Sequence, residues 1–494
     1  MVIQNIVFPD SVCDESKMYF RGEKNLIEDD HILLFKDGWI STDTYMNSLD
    51  VTSLRENTQV EKLMFEISFE GSIDFEFIDI RDKNEPSIIT QHLESHTRTR
   101  VEIPIPYDKV NGSCYCKLYA RSHSVFWSGK YIIKSKTVNY VKLALNICTF
   151  NRQGQLNRNL NKLRGSSFFK ESSEFYGKMH IFVIDNGDSF VPEKETININ
   201  IYKNSNKGGG SGGFTRGLKE IKKKSQNQTY THVIFMDDDV EFQLESFYRL
   251  FSYLSCLKKE QLSQLAIAGR MFRLDNKKIQ FTTVERWNSG NIIHIDGNLD
   301  MNIRENAVKS GIPEGDYGGW WFCVYPIQFV ENNRPISFFL HCDDVEYGLR
   351  FSGKVIALKG VQVWHESAEY RVSPTIVYYD TRNSLIVNAL YRQMSNPEQM
   401  LTEWGEKLTM YHNEGNQQLK FACTLGLFHF SKGKRILKKG GKIPWLSQQL
   451  MKYNTFLMFF NPLFHRYVRY KVKKDYQKII SDYHEYNGGW IWQY

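Results

Sequence analysis

The stretch His232-Val233-Ile234-Phe235-Met236-Asp237-Asp238-Asp239 decides the fold. Val233 to Met236 form a short apolar run of the kind that makes a strand buried on both faces, and three carboxylates follow at once where it must surface. The same grammar precedes it. Val141 to Cys148 reads as a buried strand, Leu156 to Leu163 as a helix, His180 to Asp185 and Ile197 to Tyr202 as strands, and Phe214 to Lys224 as a helix. Strands alternating with helices predict a mostly parallel sheet with its ligand site at the strands' carboxyl ends.

On either side the grammar changes. From residue 1 to 138, runs such as Lys62 to Glu70 and Ser72 to Ile78 alternate apolar and polar residues, with turn residues between them. That pattern predicts antiparallel strands and a β-sandwich, either a structural module or one whose paired polar and aromatic residues bind sugar. From 381 to 494 the pattern is helical, through Leu385 to Gln393, Glu398 to Tyr411 and Gln417 to Phe430. Three domains result: 1–138, 139–380 and 381–494.

Composition fits a folded, multidomain chain: 494 residues, 41% apolar and 24% charged. No run reaches the length of a membrane-spanning helix, and the start lacks the basic and apolar regions of a secretory signal, so a cytoplasmic protein is expected. The eight scattered cysteines then read as reduced thiols. The net charge of +7 is concentrated late. Lys432, Lys434, Arg435, Lys438, Lys439 and Lys442, then Arg466, Arg469, Lys471, Lys473 and Lys474, are interleaved with aromatic residues, which suits an anionic membrane surface or a solvated helix face. They accompany no nucleic-acid module, so no nucleic-acid partner is expected.

Chemistry-bearing residues sit at the strand ends. Side chains alternate along an extended chain, so Asp237 and Asp239 face one way and Asp238 the other. Two hard carboxylates on one face suit Mg²⁺ or Mn²⁺ beside a diphosphate. His365, closing Val361-Gln362-Val363-Trp364-His365, would complete a set commoner for Mn²⁺. Asn206-Lys207-Gly208-Gly209-Gly210-Ser211-Gly212-Gly213 leads into a helix and allows close phosphate approach to backbone N–H groups, Gly210 among them. It matches neither the Walker nor the dinucleotide pattern. Arg152 could take a phosphate or a base, and Asp185 a uracil or ribose. Phe338 to Arg350 reads as a strand end running into a helix, whose dipole would keep Asp343 or Asp344 ionised for work as a general base. Gly318-Gly319-Trp320-Trp321 offers aromatic faces for a sugar or for the core.

In their order, Thr149-Phe150-Asn151-Arg152, the glycine run, Asp237-Asp238-Asp239, Trp320-Trp321-Phe322, Asp343-Asp344 and Val363-Trp364-His365 resemble the motifs of bacterial galactofuranosyltransferases. These are inverting family-2 glycosyltransferases related to the mycobacterial polymerising type. The resemblance implies a GT-A type central domain, with Asp237, Asp239 and His365 on a divalent ion and Asp344 as catalytic base. It places Arg152, Asp185, Asn206, Gly210 and Asp238 on the nucleotide, and Trp320, Trp321, Asp343 and Glu285 on the acceptor side. It further implies UDP-galactofuranose as donor, a glycan or lipid-linked glycan acceptor, and a place on the inner face of the cell membrane. Another nucleotide sugar, or a carbohydrate-binding protein without turnover, remains an alternative. A homo-oligomer stays open, because this chain is shorter than the mycobacterial type and its C-terminal region is reduced.

Overall fold

The computed structural model describes residues 1–81, 85–187, 190–192, 196–205, 207–226, 229–367, 372–391, 396–452 and 461–486. The N-terminal runs form antiparallel strands, but the turn expected between Lys62–Glu70 and Ser72–Ile78 is absent. Both runs belong to one 21-residue strand, Val60–Ile80. Gly71, at φ +103°, sits where its register slips against Ser87–Ile105, a bulge that bends the strand instead of ending it. Beyond the bend the strand exchanges Ser124–Ser135 for Ser113–Ala120 as its second neighbour. Among the described residues all eight strands hydrogen-bond into a single sheet, which the bent Val60–Ile80 strand folds over its own core. Phe65, Ile67, Phe69, Ile73, Phe75 and Phe77 line that core by strict alternation.

The central sheet runs Ile199–Lys203, Met179–Asp185, Leu143–Thr149, His232–Asp237, Phe322–Pro326, Leu265–Arg273, Ile279–Thr282, Leu299–Asp300. Its first four strands are parallel. The expectation of a mostly parallel sheet fails beyond them. Phe322–Pro326 enters antiparallel to both its neighbours, because the chain reaches it from the far end of the sheet and not through a crossover helix. Lys354–His365 then pairs parallel with Leu265–Arg273. The result is a mixed sheet with helices against it, and one apolar cluster continues from the N-terminal sheet into it. Polar contacts join the two as well: the Glu245 carboxylate accepts from the Asn5 backbone N–H at 2.7 Å and side-chain amide at 2.9 Å.

A separate apolar cluster holds the C-terminal helices Pro374–Tyr391, Pro397–Asn413, Gln417–Phe430 and Asn461–His484. The first of these begins before residue 381 and crosses the expected domain boundary. Among the described residues no helix is long and apolar enough to cross a membrane.

Two buried histidines set an acid limit on this scaffold. Burial holds His232 and His429 at about 4, below the usual 6.5. The unfolded chain protonates both first, so their contribution is complete above pH 6.5 and is lost as pH falls toward 4. The unfolding temperature should drop across that window, and His429→Gln, which can still accept from the Tyr378 hydroxyl 2.7 Å away, should flatten the slope. An unchanged slope in the variant would contradict the assignment.

Candidate active site

Parallel pairing brings three strand ends into line. Asp237 sits opposite Cys148, Cys148 opposite Ile184, and Thr149 opposite Asp185. The Cys148 thiol is half-buried at their centre, and the charges of Asp238, Asp237, Asp343 and Asp185 add to its removal from water in holding it protonated. Four carboxylates from three distant parts of the chain therefore lie around one strand end.

His365 reaches this point through backbone pairing. Glu241 and Trp364 exchange two hydrogen bonds of 2.8 Å, which clamps the chain after the triplet against the end of Lys354–His365. The His365 Nε2 consequently lies 3.1 Å from Asp239 Oδ1 and 3.8 Å from Asp237 Oδ2. Ligand atoms of all three lie within 4.8 Å of one another. Donors held about 2.1 Å from one ion are about 3 Å apart when adjacent and about 4 Å when opposite, so this spacing fits a divalent cation. Electrostatics agree. Burial pushes Asp237 up to about 7, and the charges of Asp239 and Asp238 add to it against the opposing pull of His365 and Arg152. Such a cluster is short of positive charge.

Arg152 supplies part of it. Its guanidinium is 2.9 Å from Asp238 Oδ1 and 2.8 Å from Asp239 Oδ2. Asp238 also accepts from the Thr149 hydroxyl at 2.6 Å and is buried; the strand ends at Asp237, so the turn at 238–239, and not the expected strand alternation, sets where the three carboxylates point. Asn159, which the sequence did not single out, donates to the carbonyls of Asp238 and Val240 at 3.1 and 3.0 Å and fixes the turn that follows. Both Asp185 oxygens accept backbone N–H groups, from Gly187 at 2.9 Å and Phe190 at 2.7 Å. Asn206 lies outside the described residues.

The glycine run is helix, not loop. Gly209–Ser225 is continuous, five residues longer at its start than the sequence suggested. A Cβ on Gly213 would meet the Cys148 sulfur at 2.2 Å, and one on Gly217 the Asn146 side chain at 1.8 Å, so these glycines let the helix lie directly on the strand. Gly212 faces open space, and Gly210 has only the Phe339 carbonyl, 3.9 Å away. Gly213→Ala should therefore lower stability by about 1–3 kcal/mol through overpacking. Gly212→Ala should raise it by up to about 1 kcal/mol through helix propensity. Denaturant unfolding of the two variants checks this, and equal effects would refute it.

Phe338 to Cys342 is irregular chain, not the expected strand end. It meets the glycine helix through a single bridge between Phe339 and Gly209. Asp343–Arg350 begins with Cys342 as cap, which leaves both aspartates in the first turn. Ser211 of the glycine helix donates to Asp343 at 2.8 Å. The expectation that the helix dipole keeps Asp344 ionised is not met. Burial, then the charges of Asp343 and Glu285, raise its carboxyl well above the usual range, and an eight-residue helix does not outweigh them. Glu285 is itself buried, 2.7 Å from His294 across a short hairpin.

The tryptophan pair divides. Trp320 is 4% exposed and packs its face on Phe235 at 4.5 Å, with Phe214 and Tyr347 at its edges. It belongs to the core, which corrects its expected place on an acceptor. Trp321 is half-buried, with its indole N–H bonded to the Gly269 carbonyl at 3.0 Å.

Residues 145–298 match the family model described as glycosyl transferase family 2. This segment is similar to family-2 glycosyltransferases. The match includes the aspartate triplet and stops short of Asp343, Asp344 and His365, which only the folded chain brings to it. Two curated relatives, both named galactofuranosyltransferase GlfT2, are similar to this chain. The Mycobacterium tuberculosis protein is 26% identical over 53% of this chain and 44% of its own. The Mycolicibacterium smegmatis protein is 27% identical over 37% and 30%. The chain thus covers less than half the length of either. Among solved structures, a carbohydrate binding module of Cellvibrio mixtus lichenase 5A covers 28% of this chain and 99% of its own at 13% identity. With a TM-score of 0.19 that likeness carries no argument. Over part of its length the chain is therefore similar to family-2 glycosyltransferases and to two galactofuranosyltransferases.

Proposed function

We propose that this chain is an inverting, metal-dependent transferase that moves galactofuranose from UDP-galactofuranose to a glycan acceptor. The observation that carries the reading is the approach of Asp237 and Asp239, within the segment that matches the family model, to His365 at metal-ligand spacing. Mn²⁺ or Mg²⁺ held there would neutralise charge on the departing diphosphate. The imidazole favours Mn²⁺.

The remaining work falls to the chain's own groups. By helix geometry the first N–H groups of Gly209–Ser225 have no partner within the helix, and the open side at Gly210 and Gly212 leaves room for phosphate oxygens. Arg152 and Asp185 lie at strand ends suited to the nucleotide, with Asp238 holding Arg152 in place. Asp344 takes the proton of the acceptor hydroxyl as it attacks the sugar's anomeric carbon from the face opposite the leaving group. One such displacement inverts the centre. A raised affinity for protons suits that role, because a stronger base accepts the proton more readily once it is itself ionised. Glu285, Asp343 and Trp321 border the acceptor side.

The acceptor is proposed to be a lipid-linked glycan. On Asn461–His484 the exposed Leu463, Tyr467 and Tyr470 follow one another at helical spacing beside the exposed Arg466, Arg469, Lys473 and Lys474. Such a stripe suits an anionic bilayer, and with it a place at the inner face of the membrane. UDP release from UDP-galactofuranose, with UDP-galactopyranose as comparator, tests the donor. The reading expects Mn²⁺-dependent release from the furanose donor alone, and equal or preferential use of the pyranose would overturn it.

A further inference from the structure

The loop that carries the aspartate pair is held in an unusual shape by residues of the C-terminal helical segment. Phe339, His341 and Cys342 all lie in the left-handed region, at φ 73°, 65° and 63°. Non-glycine residues avoid that region unless their surroundings impose it. The surroundings here are two adjacent side chains of Pro374–Tyr391. Arg382, wholly buried, donates from Nη2 to the Phe338 carbonyl at 2.7 Å. Asn383, also wholly buried, donates from Nδ2 to the carbonyls of Leu340 at 2.7 Å and His341 at 2.9 Å. Between them they grip the residues immediately ahead of the cap, Cys342.

Arg382 also joins this loop to the start of the glycine helix. Its Nη1 donates to the Gly441 carbonyl at 2.7 Å. Gly440 and Gly441, at φ 77° and 67°, form a turn wedged into the site. A Cβ on Gly441 would lie 1.9 Å from the Ser337 carbonyl oxygen, and one on Gly440 would lie 2.5 Å from that of Lys207. Arg382 also donates to the Tyr378 hydroxyl at 3.3 Å and the Asn383 amide oxygen at 2.8 Å, and its guanidinium lies over the Tyr378 and Tyr379 rings at 5.4 and 5.0 Å. Among the described residues no carboxylate pairs with it. A buried cation without a countercharge is unfavourable, and what it gains here is a rigid fork of donors that spans two chain segments at once.

We infer that Arg382, assisted by Asn383, is a positioning residue that fixes the shape of the 338–342 loop and so aims Asp343 and Asp344 at the reacting sugar. The inference rests on the proposed role of Asp344. It gives the helical segment a part in turnover, through the loop, without contact with either substrate.

The test compares Arg382→Lys and Arg382→Ala with Asp344→Asn, using UDP-galactofuranose, Mn²⁺ and a short galactofuranosyl acceptor. Folding is checked by circular dichroism and UDP–Mn²⁺ affinity by calorimetry. Arg382→Lys keeps the charge but loses the fork, so kcat should fall about 100-fold while UDP affinity stays within about threefold, as expected for a displaced catalytic group. Added guanidinium ion should restore part of the turnover of Arg382→Ala, and ammonium should not. The inference is overturned if folded Arg382→Lys keeps kcat within about twofold of the parent, if UDP affinity falls as far as kcat, or if guanidinium restores nothing. Residual turnover in Asp344→Asn would instead defeat the reading of the base, whatever Arg382 does.

Discussion

Asp344→Asn loses transfer by about 10³-fold, the scale of a positioned general base, while UDP and Mn²⁺ binding are retained. The amide is nearly isosteric and can still accept the Val345 backbone N–H at 2.8 Å, so the helix start survives. The substitution should also stabilise the fold. Burial and the neighbouring charges of Asp343 and Glu285 raise this carboxyl in the folded state. A group raised on folding contributes most at low pH, and its contribution is lost as pH climbs from the unfolded value through the folded one. Asparagine removes that loss, so with EDTA present the gain in unfolding temperature should be larger at pH 8 than at pH 5. Substantial residual turnover, or a gain that shrinks with rising pH, would remove Asp344 from the role.

The second large effect concerns the cation. Asp237→Ala and His365→Ala each delete one of three ligands, and a bound metal stabilises transition-state charge by several kcal/mol, so turnover at saturating donor should fall by at least about 10²-fold. The dependence on Mn²⁺ should shift to higher concentration in both variants. Superimposable Mn²⁺ titration curves for parent and variants would contradict the ligand assignment. His365→Ala should be the less disruptive structurally, because the 2.8 Å hydrogen bonds between Glu241 and Trp364 do not involve the imidazole.

Periodicity made the central strands and the late helices readable, since burial on two faces or on one stripe leaves a direct trace in residue order. Asp237 and His365 stood out in the sequence because each closes an apolar run, and Asp239 because it ends the acidic triplet that follows one. Other features left weaker traces. The helix beginning at Gly209 was hidden by glycines, which argue against helix by propensity and are tolerated here because Gly213 and Gly217 face Cys148 and Asn146 at contact distance. Gly71 looked like a turn, and only the pairing of both flanking runs with Ser87–Ile105 reveals a bulge. Trp320 could have lined a sugar site or the core, and its partners Phe235 and Tyr347 lie too far along the chain to decide that from order alone. Arg382 and Asn383 were invisible for the same reason. Their partners are backbone carbonyls some forty residues earlier, and no residue type announces such a contact.

The central claim is that two carboxylates and one imidazole from separate strand ends share a single divalent ion. Pulsed electron paramagnetic resonance of the protein with Mn²⁺ and UDP reads this directly, through coupling of the ion to an imidazole nitrogen. The account predicts one Mn²⁺ per chain, with a nitrogen coupling present in the parent and absent in His365→Ala. Tight Mn²⁺ binding with no nitrogen coupling in the parent, or a coupling that persists in the variant, would contradict it.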